Sequence, residues 1–377
     1  MFRVLLISLF MAALSVHADA KVYHAAISRD GASLAVVQKL DGKKIVSIFS
    51  ADDASAKPMG VGLGDFEPQR LYWQASGIPL IQVNNIMISV QTVDGLKRMN
   101  FARWVSIDPS SGEMKMLFDN EAGYDYGYFV GDAGDLLATG NGKKNEAVFS
   151  RMRVRQQRAT ATRLSSGSDQ QVYSLINVNV SNTKERRGVW GNENTQQWVV
   201  DETGAAVARA DLEMNDTVWN LYKYAGRNAS LHATLNLTDE NLEEIAVVGR
   251  LPETDELLVR VKGAENGWRY RQINLTSGAI APANFDLAGQ PTDEIYDPNR
   301  AIIHAIVDQS GRAHHFDPVH QKIQSGLQKS LLGSSILIES AAGDLDRYVI
   351  KATYADKPAE RYFYDRTAKR LELIAKD

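Results

Sequence analysis

Cysteine is absent from the 377-residue sequence. That absence excludes disulfide staples, thiolate nucleophiles, iron–sulfur clusters and cysteine-rich zinc sites. An excess of one charge is missing too: 42 Lys and Arg stand against 46 Asp and Glu, a formal net charge of −4. Without a basic field to hold a phosphate backbone, nucleic acid is not an expected partner. Gly60-Val61-Gly62-Leu63-Gly64 has neither the spacing of a nucleotide fingerprint nor a following helix, and no Walker loop occurs. The nucleophile elbow Gly-x-Ser-x-Gly is also missing. Its nearest approaches, Gly31-Ala32-Ser33-Leu34-Ala35 and Gly333-Ser334-Ser335-Ile336-Leu337, both lack the second glycine. No strand–helix alternation exists to carry such an elbow. The sequence therefore assigns no catalytic residue and no cofactor.

What is plentiful is apolar material, 44% of residues, and a chain of this length buries roughly three-quarters of its unfolded surface. Residues 1–20 are set apart. Met1 and Arg3 give a positive start, Val4 to Leu14 is apolar apart from Ser8, and small residues follow at Val16-His17-Ala18 and Ala18-Asp19-Ala20. This is the layout of a secretory signal peptide, cleaved after Ala18 or Ala20. The expectation is one domain over 21–377, periplasmic or secreted. No later run approaches the ~18 apolar residues of a spanning helix, so no membrane anchor is expected.

Past residue 21 the signal is short strands and turns. Leu34 to Gln38 and Ile45 to Phe49 flank Asp41-Gly42, a pair suited to a two-residue type I′ turn. That loop pairs Val37 with Val46, Ala35 with Ile48 and Leu34 with Phe49. Both faces of the hairpin are then apolar, as in a sheet lying between two others. A strand end followed by a polar turn recurs at Phe49, Ile107, Ile176, Leu221, Ile273, Phe316 and Tyr364. Most of the steps match the ~40–50 residues of a four-stranded propeller blade, and the first two are longer. The expected fold is an all-β propeller of seven four-stranded blades. Residues 54 to 70 read as a loop. Arg151, Arg153 and Arg155 read as one solvated strand face within a basic stretch over 151 to 171. One helix is expected over 321–332, from Ile323, Leu327, Leu331 and Leu332 at helical spacing with Gly333 as its cap.

Three patterns bear on chemistry. Ala301 to Asp317 reads as a hairpin through Asp308 to Gly311, which places His304 opposite His315, with Asp317 further along that face. Two imidazoles and a carboxylate are a zinc donor set, and a three-residue loop would pair His304 with His314 instead. Adjacent His314 and His315 point to opposite faces and cannot both take part. The carboxylate pairs Glu243-Glu244, Asp52-Asp53, and Asp344 with Asp346 read as connectors and turns rather than converging acids. The six tryptophans sit at scattered strand positions and read as blade-to-blade packing.

Several stretches resemble the N-terminal propeller of bacterial S9 serine peptidases, the prolyl oligopeptidase and acylaminoacyl-peptidase group. They are Ile27-Ser28-Arg29-Asp30-Gly31-Ala32-Ser33-Leu34-Ala35, Trp198 to Gly204, and Tyr362 to Ile374; TolB-related propellers share the first. In that family the propeller gates peptide access to an α/β-hydrolase bearing a Ser-Asp-His triad. The resemblance implies a propeller without its hydrolase: an exported, non-catalytic module that binds a peptide or protein. Two alternatives stand beside it. One is half of a split peptidase whose hydrolase is a separate chain; the other is a metal-dependent hydrolase using His304, His315 and Asp317.

Overall fold

The computed structural model describes residues 21–376 except 54, 93–94, 119–123, 126–127, 130–132, 141–144, 156–169, 214, 264–266, 286 and 288. The expected export signal and the middle of the basic stretch lie outside the described residues.

Turn chemistry dictates local pairing. Asp41 and Gly42 adopt φ of 50° and 76°, the two positive values that a type I′ turn requires. Leu34 pairs with Phe49, Ala35 with Ile48 and Val37 with Val46, the register read from the sequence. Elsewhere an Asp or Asn at a strand end accepts the amide two residues on, as Asp108 does from Ser110 (2.8 Å) and Asn274 from Thr276 (2.9 Å).

Repeated along the chain, this yields seven antiparallel blades spanning residues 21–64, 67–116, 135–190, 195–236, 242–282, 291–315 and 334–376. Six have four strands in sequence order. Blade 6 has three, and the helix α1 (Pro318–Gln328) follows them. A small ladder, Tyr124–Asp125 with Tyr128–Phe129, falls between blades 2 and 3 in the sequence. Six of the seven recurring anchors lie in the third strand of successive blades, and Phe316 directly follows the third strand of blade 6.

The first strand of blade 1 (Lys21–Ile27) touches the first strands of blade 2 (Glu67–Gln74) and of blade 7 (Ser334–Ala341), so the first strands surround an axis and the ring closes. Because strands alternate in direction, the turns after first strands gather on one face of the ring. The second-to-third connections gather on the other.

Apolar side chains fill the gaps between blades, with Val37, Val46, Leu71, Trp73 and Val105 between blades 1 and 2. Tryptophans stitch neighbours, as their scatter suggested. The Trp73 indole donates to the Ala26 carbonyl (2.9 Å), Trp104 to Gly134 (3.1 Å) and Trp198 to Tyr173 (3.1 Å).

Three local expectations are corrected. Residues 54 to 70 are not simply a loop: Met59–Gly64 is the outer strand of blade 1. Its glycines occupy the outward positions, leaving Val61 and Leu63 buried at period two. The Arg151–Arg153 face is not solvated. Arg151 is fully buried with its guanidinium 4.4 Å from the Phe118 ring centroid, and Arg153 pairs with Glu185 at 3.7 Å. The helix begins three residues earlier than expected and ends at Gln328, leaving Leu332 exposed.

Candidate functional site

The turn that ends the first strand of blade 6 (Pro291–Asp297) reaches across the axis to blade 3. The Pro298 carbonyl accepts from the Thr139 amide (2.9 Å), and the Asn299 side chain accepts from the Thr139 hydroxyl (2.7 Å). Tyr296 donates to the Leu137 carbonyl (2.9 Å). From blade 2 the Gln74 amide reaches the Thr139 carbonyl (3.0 Å), and from blade 1 Arg29 reaches Gly140 (3.4 Å). Ala301 takes φ of 51° and packs buried with Ala138, Val148 and Trp198. Blades 3 and 6 stand on opposite sides of the ring, so these bonds plug the axis at one face.

Beneath the plug a small cleft remains among the first strands of blades 1, 2, 6 and 7, where Ala26, Trp73, Tyr296, His304, Glu339 and Ser340 line it. Burial raises the pKa of Asp297, although the Asn299 amide and Arg300 work against it. Burial likewise raises that of Tyr296, a neutral phenol held as donor.

His304 separates this cleft from a second feature. His304 lies in the second strand of blade 6 (Ile302–Asp308), His315 ends the third (Ala313–His315), and His320 lies in the first turn of α1. Their exposures are 4%, 1% and 0%. Ring centroids are 5.0 Å apart for His304 and His315, 4.6 Å for His304 and His320, and 6.1 Å for His315 and His320. One donor nitrogen from each ring lies within 4.8 Å of the others. The His304 Nε2 donates to the Ile338 carbonyl (3.0 Å), and the Ile338 amide faces His315 Nε2 at 3.4 Å.

The hairpin register is neither of those expected. Ala305 pairs with His315 and Ile306 with His314, because the loop spans Asp308 to Arg312 and closes with the Asp308 amide on the Arg312 carbonyl (3.0 Å). His304 and His315 meet nonetheless, since both turn to the backbone of Ile338 in blade 7. His314 points the other way and stacks on Phe285, centroids 4.9 Å apart.

Asp317 takes a different role. One carboxylate oxygen caps α1 by accepting the Val319 amide (2.8 Å), and the other accepts from Arg300 (2.8 Å). Burial pushes its pKa up, but Arg300, His320 and the Val319 amide outweigh that and hold it below its usual value. The third imidazole comes instead from His320, which sequence reasoning missed. The signal was Asp317-Pro318, an N-cap followed by proline at the first helical position. That start puts His320 on one buried face with Ile323 and Leu327.

Burial lowers all three histidines. His304 falls well below its ordinary value, His315 to about 3 and His320 to about 4, with neighbouring imidazoles adding to the effect on the first two. The cluster is therefore neutral near pH 7, the state in which imidazole presents a lone pair. Glu243 and Glu244 meet on the Lys262 ammonium, and Asp52 pairs with Arg347.

Fold and site define a seven-bladed β-propeller with a plugged axis and a buried imidazole cluster beside it. Among solved structures, it is similar to prolyl oligopeptidase B from Galerina marginata bound to a macrocyclization substrate (10% identity, TM-score 0.48), covering 98% of this chain and 53% of that one. It is also similar to the Pyrococcus horikoshii acylaminoacyl peptidase (9% identity, TM-score 0.45), covering 94% of this chain and 52% of that one. The chain thus spans about half the length of these peptidases, and nothing about activity follows from likeness at this level. No protein-family profile matches the sequence, and no curated protein does.

Proposed function

We propose that this chain is an exported recognition module that binds a peptide or protein segment on the face opposite the plug. The observation that carries the reading is the plug: with the axis closed at one face by Tyr296, Pro298, Asn299 and Thr139, that face has no channel for a ligand. A projecting arm on the opposite face adds to it. The second and third strands of blade 2 (Ile78–Thr92 and Gly95–Ile107) pair with each other from Ile86 with Phe101 to Thr92 with Gly95, beyond the reach of their other partners. Seven such pairs extend on the order of 20 Å past the blade.

The test is binding to an array of unstructured peptides, with the mature chain and with a variant in which Asn-Gly replaces residues 87–100. Loss of binding with an unchanged melting temperature supports the reading. Unchanged binding by the shortened variant overturns it. So does labelling of the chain alone by a serine-directed fluorophosphonate, whereas label on a co-purified partner chain identifies that partner as a hydrolase.

A further inference from the structure

We infer that His304, His315 and His320 bind a divalent transition-metal ion of the zinc class, which ties the second and third strands of blade 6 to α1. This goes beyond the recognition role and does not depend on it.

Unsatisfied chemistry is the first ground. Both ring nitrogens of His320 and the Nδ1 of His315 are buried with no hydrogen-bond partner among the described residues. A buried polar atom left unpaired is costly, and few persist in a native fold without a role. A metal ion reached by His320 and by the Nδ1 of His315 uses nitrogens that have no partner, in exchange for the long 3.4 Å bond in which His315 Nε2 accepts the Ile338 amide.

Orientation is the second ground. The bond from His304 Nε2 to the Ile338 carbonyl fixes the tautomer that leaves Nδ1 with its lone pair. A ring nitrogen donating to a backbone carbonyl while the other faces the metal is the usual outer support of a histidine ligand. Zinc–nitrogen bonds of about 2.0–2.1 Å in a tetrahedron place donor atoms roughly 3.4 Å apart. The donor atoms now lie within 4.8 Å of one another, and ligation requires the rings to draw them in to that spacing. Imidazole suits zinc, copper and nickel far better than magnesium or calcium.

Position is the third ground. Blade 6 lacks a fourth strand, and α1 packs in its place against the first strand of blade 7. The three rings come from three elements of this irregular blade, and two of them address Ile338 of its neighbour. His304 also lines the axial cleft, so the cluster borders a cavity on that side. Asp317 and Arg300 neutralise each other alongside.

Three measurements on the mature chain test the site. Chelator-stripped protein is titrated with Zn²⁺ against a chromogenic competitor; the melting temperature is compared with and without metal; Co²⁺ is added and its visible spectrum recorded. The expected results are one Zn²⁺ per chain, a rise of roughly 3–5 °C at a hundredfold excess over Kd, and the absorption of tetrahedral cobalt. His320→Asn should abolish all three. Should that variant not fold, the cobalt spectrum and stoichiometry of the unaltered chain still decide. Failure to bind Zn²⁺ tighter than the competitor would falsify the site, as would binding that survives His304→Gln together with His315→Gln.

Discussion

His24 shows how a single side chain sets the acid limit of this fold. It stands in the first strand of blade 1, largely buried and surrounded by Arg361, Lys351 and Arg70. Burial first, and then those positive charges, lower its pKa from 6.5 to about 4. The folded state therefore resists a proton that the unfolded chain accepts. Stability from this group is complete above about pH 6.5 and is lost as the pH falls through 4, in all about 3 kcal/mol. Urea midpoints of the native chain should drop across that window, and His24→Asn should flatten the drop by about one proton's worth of slope. Equal slopes for the two proteins would count against the assignment. None of this was legible in the sequence, where His24 is one residue in an apolar strand. Its cationic neighbours come from positions more than forty residues away.

At the scale of elements, the local rules were strong readers. Asp41-Gly42 fixed a turn, and the turn fixed the register of the strands it joins, because both signals act within ten residues. The strand Met59–Gly64 was obscured because its glycines look like loop, although they mark only the outward side of an alternating edge. Helix α1 was misplaced because the apolar spacing was followed to Leu332 while the Asp317-Pro318 start was passed over. Asp317 is 1% exposed and joins a cap to an ion pair with Arg300. Replacing it by alanine removes both and should cost about 1–3 kcal/mol in denaturant unfolding. Hydrogen exchange should rise first in the amides of α1. A variant as stable as the parent would show that the helix is held by Ile323 and Leu327 alone.

For the whole molecule, blade number was readable because each blade is a contiguous repeat; the closure and the plug were not. The closure and the bonds of Tyr296 and Asn299 in the plug join residues more than one hundred positions apart. Among the described residues no strand is shared by blades 1 and 7. The seam is crossed by the Gly343 amide on the Arg29 carbonyl (2.7 Å) and by Arg361, which is held by Glu339 of its own blade (2.9 Å) and reaches the carbonyls of Val22 (3.3 Å) and Tyr23 (3.2 Å). Arg347 reaches Gly31, and Phe49, Val349 and Phe363 pack beneath. Arg361 is buried, so Arg361→Ala strands Glu339 and two carbonyls and should cost about 3–5 kcal/mol. Exchange should quicken in blades 1 and 7 before the others. Uniform quickening around the ring would mean that the seam is no weaker than any other boundary.

The plug has one more consequence. Opposite blades tied by Tyr296, Asn299 and Thr139 work like a spoke, so the ring cannot widen at one face without parting those bonds. Passage along the axis through that face requires this spoke to break first.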